Sequence, residues 1–175
     1  GAGELNFLRE AVEQELTDEN NDLNFSNSSL KRARDYYLKK IKVFGNKTEY
    51  LIDKAPLNFK WIGFINLIFP NSKIIHCKRN AMDICWSSYK NTFASKSMNY
   101  TYDFNDLALF YKAYYDLMKF WKSDIENNVF DLVYEDLIND KITQTKKLLN
   151  FCNLSWDENC LNFHKNKKSV STASL

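Results

Sequence analysis

The chain has 175 residues, 45% of them hydrophobic and 26% charged, so it is long enough and apolar enough to bury a core as one domain. Its 24 basic and 22 acidic residues leave a net charge of +2, which argues against a dedicated nucleic-acid or membrane-surface binder. The longest apolar stretch, around Trp61 to Phe69, has only about half the length of a membrane span.

The cysteines and histidines do not form a pattern that binds metal. The sequence has four cysteines and two histidines without a C-x-x-C pair, so we expect neither a zinc site nor a disulfide scaffold. Reduced cysteines in a cytoplasmic protein are the favoured interpretation.

The first half of the chain predicts helices around one short strand. Apolar residues at helical spacing predict helices over 4–16 and 30–44, separated by a polar loop. Tyr50 to Ile52 is a short apolar run, predicted as a buried strand that ends at Asp53-Lys54-Ala55-Pro56. Pro56 suits the first turn of a third helix, which is predicted to reach Phe69.

The second half alternates strands with helices. Strands are predicted over 73–78 and 129–133, and helices over 81–93, 103–125 and 140–152. A polar loop is predicted over 94–102, and a capping box that begins at Ser155 predicts one more helix.

This alternation predicts an α/β domain with a parallel sheet covered on both faces. Ligands of such folds bind beyond the carboxyl ends of the strands. Lys54, Arg79 and Tyr134 each follow a predicted strand, so we expect them to converge on one edge as a candidate anion site.

Arg79 stands between a predicted strand and a predicted helix. A guanidinium beside the free N–H groups of a helix start can bind an anion, and Ser87, eight residues later, can add a hydroxyl donor. The alternative is a common surface ion pair between Arg79 and Asp83.

Residues 50–93 read YLIDKAPLNFKWIGFINLIFPNSKIIHCKRNAMDICWSSYKNTF. The D-K-x-P turn, the F-P-x-S-K-I-I-H-C-x-R strand and the D-x-C-x-S helix resemble sulfotransferases that use 3′-phosphoadenosine-5′-phosphosulfate (PAPS). The closest likeness is to bacterial members fused to tetratricopeptide repeats, and VYEDLI (133–138) and residues 154–174 extend it over nearly the whole chain. The resemblance implies a P-loop-NTPase-like parallel sheet flanked by helices, with PAPS as donor and no metal.

The resemblance also implies roles for single residues. Arg79 and Ser87 match the pair that holds the 3′-phosphate of PAPS, and Tyr134 matches a tyrosine near the cofactor. Lys54 matches the lysine that contacts the sulfuryl group and the bridging oxygen, where a cation stabilises the leaving group.

Two further matches lie near the ends of the chain. GAGEL resembles the G-G-E segment of tyrosylprotein sulfotransferases, so Glu4 matches their proposed general base; the alternative for Glu4 is a first-turn acid that complements the helix dipole. Ser174 matches a C-terminal loop serine that approaches the sulfate. The family's small-molecule enzymes use a histidine base, but neither His76 nor His164 has a matching setting.

The family's phosphosulfate loop, a P-R-S-G-T-T string, is absent from the sequence. We therefore expect residues 1–175 to be a sulfotransferase-domain fragment, incomplete at its N-terminus and inactive alone. The acceptor class (protein tyrosine, carbohydrate or small phenol) and the oligomeric state stay open. A kinase-like nucleotide-binding domain and a non-catalytic interaction domain of the same fold are the alternatives.

Overall fold

A computed structural model of the chain describes residues 5–18, 20, 22–44, 49–93, 96–125 and 128–165. The chain divides into two compact units, the first ending at Ser72 and the second beginning at Lys73. The prediction of one domain, which rests on chain length, stays a prediction.

The first unit is helical in the residues described. It contains α1 (Phe7–Glu15), α2 (Asn27–Ile41) and α3 (Ile62–Ile68), with 3-10 turns at Lys42–Phe44 and Pro56–Trp61. Residues at helical spacing form its core, so the predicted periodicity is confirmed. The buried members of this core are Leu8, Ala11, Val12, Leu16, Ala33, Tyr37, Phe64 and Ile68.

The predicted strand at Tyr50 to Ile52 is wrong. These residues form no regular secondary structure and pair with no strand in the part of the chain described, and they are 57%, 45% and 76% exposed. A short apolar run fits a strand only where a neighbouring strand pairs with it. Helix α2 also begins earlier than predicted, because the Ser26 side chain accepts a hydrogen bond from the Ser29 amide and caps it.

The second unit is α/β, which confirms the predicted class. Strands β1 (Ile74–Lys78) and β2 (Val129–Val133) pair in parallel, from Ile74 opposite Val129 to Lys78 opposite Val133. The described residues form a sheet of these two strands, not the three predicted. Its helices are α4 (Ala81–Lys90), α5 (Phe104–Asp124), α6 (Tyr134–Asn139) and α7 (Lys141–Phe151), with 3-10 segments at Lys96–Tyr102 and Glu158–Lys165.

Helices contact both faces of this sheet. On one face His76 contacts Tyr114 of α5, and on the other Phe130 lies 5.2 Å from Phe151 of α7, centroid to centroid. The coverage is nevertheless incomplete, because Ile75 of β1 is 40% exposed. The expected helices on both faces are therefore present, and their coverage of the described strands is partial.

Three local features differ from the predictions. Helix α6 starts directly after β2, where the sequence predicted none, and the segment predicted as a loop over 94–102 contains a 3-10 turn. The capping box at Ser155 is also wrong, because the last 3-10 segment starts at Glu158 and Asp157 accepts the hydrogen bond from the Asn159 amide. All four cysteines are free thiols, and no helix among the described residues has the length and apolar character of a membrane span.

Candidate functional site

Arg79 and Tyr134 meet at one edge of the sheet. Arg79 follows the last residue of β1 and Tyr134 follows the last residue of β2; because the strands are parallel and in register, both positions lie at the same edge. The guanidinium carbon of Arg79 lies 5.0 Å from the centre of the Tyr134 ring, a cation–π distance. The structure therefore brings these two predicted site residues together.

Arg79 also forms the ion pair that the sequence offered as its alternative. Its Nη2 atom lies 3.2 Å from Oδ2 of Asp83, with the two side chains 46% and 54% exposed. An exposed pair one helical turn apart contributes only about 0.3–0.5 kcal/mol. Arg79 can therefore exchange Asp83 for a stronger anionic partner at little cost.

Ser87 extends the same face of helix α4. It follows Asp83 by four residues, so the two side chains lie on one side of the helix. Arg79, reaching Asp83 from the start of the helix, faces that side as well. The half-buried Ser87 stands one turn further along it.

The amide groups at the start of α4 have partners within the protein. Oδ1 of Asn80 accepts hydrogen bonds from the amides of Met82 (2.9 Å) and Asp83 (3.3 Å), and Oε1 of Glu135 accepts one from the amide of Asn80 (2.8 Å). The prediction of free N–H groups at this helix start is wrong for these three amides, because Asn80 caps the helix with its own side chain. Arg79 itself is thus the main donor for an incoming anion.

Carboxylates balance the charge of Arg79. The hydrogen bond from the Asn80 amide and, to a smaller extent, the positive charge of Arg79 hold the pKa of Glu135 below its usual value. With Asp83 bound to the guanidinium directly, Arg79 faces two negative groups of the protein. These carboxylates compete with an incoming anion, so a phosphate ester, which can bind the guanidinium through two oxygens, has to displace Asp83.

A partly buried polar network crosses the same sheet. His76 of β1 lies opposite Asp131 of β2 and donates from Nδ1 to Oδ1 of that carboxylate at 2.9 Å. The Nε2 atom of His76 accepts from the hydroxyl of Tyr114 on α5. Lys122 and Lys78 donate to Oδ2 of Asp131 at 2.6 and 3.3 Å.

Charge and burial fix the protonation states in this network. Burial lowers the pKa of His76 and keeps the ring neutral, only partly opposed by its bond to Asp131. Burial would raise the pKa of Asp131, but the hydrogen bonds from Lys122, His76 and Lys78 outweigh it and lower this pKa to about 2. Both ring nitrogens of His76 are engaged in hydrogen bonds.

This network was not predicted from the sequence, although the sequence contained a signal for it. His76 and Asp131 are polar residues inside two apolar runs that were predicted as strands. A polar side chain within a buried strand needs a hydrogen-bond partner. Pairing the two runs in parallel would have suggested that these residues face each other.

Lys54 lies in the first unit, in the irregular segment that precedes the 3-10 turn at Pro56–Trp61. Its side chain is exposed, and the neighbouring Asp53 accepts hydrogen bonds from Tyr37 and Asn58. The predicted position of Lys54 at the end of a strand is wrong, since no strand forms there. Glu4 and Ser174 lie outside the described residues.

Metal ligands do not cluster in the described part of the chain: no group of three His, Cys, Asp or Glu side chains there is placed to hold an ion.

Comparisons with known proteins agree with the resemblance seen in the sequence. Residues 4–158 match the family model described as "Sulfotransferase family". An uncharacterized protein of Aquifex aeolicus (strain VF5) is 33% identical over 155 residues, which are 87% of this chain and 20% of that protein. Human sulfotransferase 4A1 is 28% identical over 96 residues, which are 50% of this chain and 34% of that protein. The chain thus spans only a fifth to a third of the length of these relatives.

Proposed function

The chain belongs to the sulfotransferase family. On that premise we propose that it forms part of an enzyme that transfers a sulfuryl group from PAPS to a hydroxyl acceptor. Arg79 and Ser87 are proposed to hold the 3′-phosphate of the donor, with Tyr134 beside them. The observation that carries this proposal is the position of Arg79, at the carboxyl edge of a parallel sheet and at the start of a helix that has Ser87 on the same side.

The side chains at this edge suit a phosphate ester. The Tyr134 ring lies against the guanidinium of Arg79, while the N–H donors of a guanidinium point outward in its own plane. These donors can therefore turn from Asp83 to a phosphate without losing the aromatic contact. Ser87, one turn beyond Asp83, can donate its hydroxyl to another phosphate oxygen.

Lys54 is proposed to act at the leaving group. PAPS supplies the activated sulfuryl group, and the leaving group is 3′,5′-adenosine bisphosphate, which departs through its 5′-phosphate. Sulfuryl transfer, like phosphoryl transfer, proceeds in line through a loose transition state, so the protein contributes position and charge stabilisation. The ammonium of Lys54 would stabilise the negative charge that grows on the bridging oxygen.

Glu4 is proposed as the general base and Ser174 as a further contact to the sulfate. A carboxylate within hydrogen-bond reach can remove the acceptor's proton as the oxygen attacks. The acceptor bears a hydroxyl group, on a protein tyrosine, a carbohydrate or a small phenol.

The finer fold and location are proposals as well. We propose that β1 and β2 belong to a P-loop-NTPase-like parallel sheet, since the end of one strand and the start of the following helix together hold the proposed phosphate ligand. The free thiols suit a reducing compartment, which supports a cytoplasmic location.

The donor assay tests this proposal in the whole protein. Sulfur-labelled PAPS and γ-labelled ATP are each offered with 4-nitrophenol or a tyrosine peptide, and we expect label to move from PAPS alone. Lys54→Ala should lower the rate by roughly 10²–10³-fold, as the loss of one charge-stabilising donor does. Lys60→Ala removes another exposed lysine from the same segment and should leave the rate unchanged. Transfer from ATP, or full activity in Lys54→Ala, would refute the proposal.

A further inference from the structure

Asp53, the residue before Lys54, is held through both oxygens of its carboxylate. The hydroxyl of Tyr37 donates to Oδ2 at 2.8 Å, and the side-chain amide of Asn58 donates to Oδ1 at 3.2 Å. The backbone amide of Asn58 also donates to the carbonyl of Ala55 at 3.1 Å, which closes the turn directly after Lys54. We refer to residues 53–58 as the lysine turn.

Tyr37 connects the lysine turn to the core of the first unit. It lies in helix α2, is only 6% exposed, and contacts the ring of Phe69 edge-on at 5.3 Å. Core packing therefore fixes where its hydroxyl stands. Burial, and then the hydrogen bond to Asp53, raise the pKa of Tyr37, so the hydroxyl stays protonated and donates.

We propose that Tyr37 is a positioning residue, which holds Asp53 and through it places the ammonium of Lys54 at the bridging oxygen of the donor. This inference rests on the proposed function of Lys54. Consecutive Cα atoms stand about 3.8 Å apart, so a shift of Asp53 moves the backbone of Lys54 with it. Lysine has a long flexible side chain, and its backbone anchor limits where the ammonium can reach.

The structure offers a matched control in the neighbouring tyrosine. The hydroxyl of Tyr36 donates to Oε2 of Glu10 on helix α1 at 3.0 Å. Tyr36→Phe therefore removes the same kind of hydrogen bond, from the same helix to a carboxylate, without touching the lysine turn. Tyr37→Phe keeps the buried ring and removes only the oxygen that holds Asp53.

The test is a double-mutant cycle in the whole protein, with PAPS and 4-nitrophenol as substrates. We expect Tyr37→Phe to lower kcat on the order of 10- to 100-fold, because a misplaced catalytic group loses its alignment. The KM for PAPS should change little. The kcat of Tyr36→Phe should stay within about 2-fold of the wild-type value. In the Lys54→Ala background, Tyr37→Phe should lower kcat by less than about 2-fold, since it acts through the lysine.

Hydrogen exchange supplies a readout that does not depend on turnover. The amides of the lysine turn should exchange faster in Tyr37→Phe than in wild type or Tyr36→Phe. Asn58→Ala releases the other carboxylate oxygen without changing a core residue, so it carries the same test if Tyr37→Phe does not fold.

Two results would overturn the inference. One is a loss of kcat from Tyr37→Phe that is the same in the wild-type and the Lys54→Ala backgrounds, which would show a general structural role. The other is a Lys54→Ala variant with reduced activity together with a Tyr37→Phe variant that is fully active. Full activity of Lys54→Ala would instead refute the proposed function of the lysine, so the two failures are distinguishable.

Discussion

Replacing Arg79 with alanine should weaken binding of 3′,5′-adenosine bisphosphate while leaving AMP binding nearly unchanged. A charged hydrogen-bonded contact to a phosphate contributes about 1.5–3 kcal/mol. In wild type Arg79 must first leave Asp83, an exposed partner at 3.2 Å whose loss costs about 0.5 kcal/mol. The net effect is about 1–2.5 kcal/mol, or an increase of about 5- to 60-fold in Kd.

Isothermal titration calorimetry on the whole protein measures this difference directly. AMP lacks the 3′-phosphate, so it reports any general damage to the nucleotide site. Lys112→Ala is the matched control variant, because Lys112 forms an exposed ion pair with Asp116 one helical turn away, as Arg79 does with Asp83. An equal loss of affinity for both nucleotides in Arg79→Ala would refute the 3′-phosphate assignment.

Three further predictions follow from charge and acidity. Asp83→Asn should tighten 3′,5′-adenosine bisphosphate binding by about 2-fold in calorimetry, because the carboxylate competes with the phosphate for Arg79. Glu4→Gln should slow transfer by roughly 10²–10⁴-fold with a weakly acidic hydroxyl acceptor, and far less with 4-nitrophenol, whereas Lys54→Ala should be damaging with both. Asp131→Asn should cost about 1–2 kcal/mol in urea unfolding above about pH 4, since the carboxylate is partly exposed and its pKa is lowered to about 2.

The sign for Asp131 follows from its lowered pKa. Its ionised form stabilises the fold above the ordinary pKa, and this contribution is lost as the pH falls towards 2. The difference between wild type and Asp131→Asn should therefore shrink on acidification, and a difference independent of pH would contradict the prediction. Weaker nucleotide binding in Asp83→Asn would show that Asp83 orients Arg79. An equal loss of transfer rate in Glu4→Gln with both acceptors would show that Glu4 is not the general base.

Local patterns in the sequence correctly predicted the two paired strands and the position of Arg79 and Tyr134 at the same edge of the sheet. Each strand is a short apolar run bounded by turn residues, and a parallel pair brings its carboxyl ends together whatever surrounds it. The same pattern failed at Tyr50 to Ile52, because a strand also needs a partner that local sequence does not reveal.

The side-chain partners that surround the site were harder to predict. Asn80 directly precedes helix α4 and suits an N-cap, but free amides were predicted there from the sequence, and the hydrogen bond from its amide to Glu135 joins residues 55 positions apart. The bond from Tyr37 to Asp53 likewise depends on how α2 packs. Spacing along one chain cannot specify such contacts, because they form only once separate elements are brought together.

A crystal structure of the protein with 3′,5′-adenosine bisphosphate tests most directly whether Arg79 and Ser87 hold the 3′-phosphate. We expect the guanidinium of Arg79 to have left Asp83 and to stand about 2.7–2.9 Å from 3′-phosphate oxygens, with the Ser87 hydroxyl on the same phosphate and the Tyr134 ring still against the guanidinium. A bound nucleotide whose 3′-phosphate lies elsewhere, with Arg79 still paired to Asp83, would contradict the proposed function.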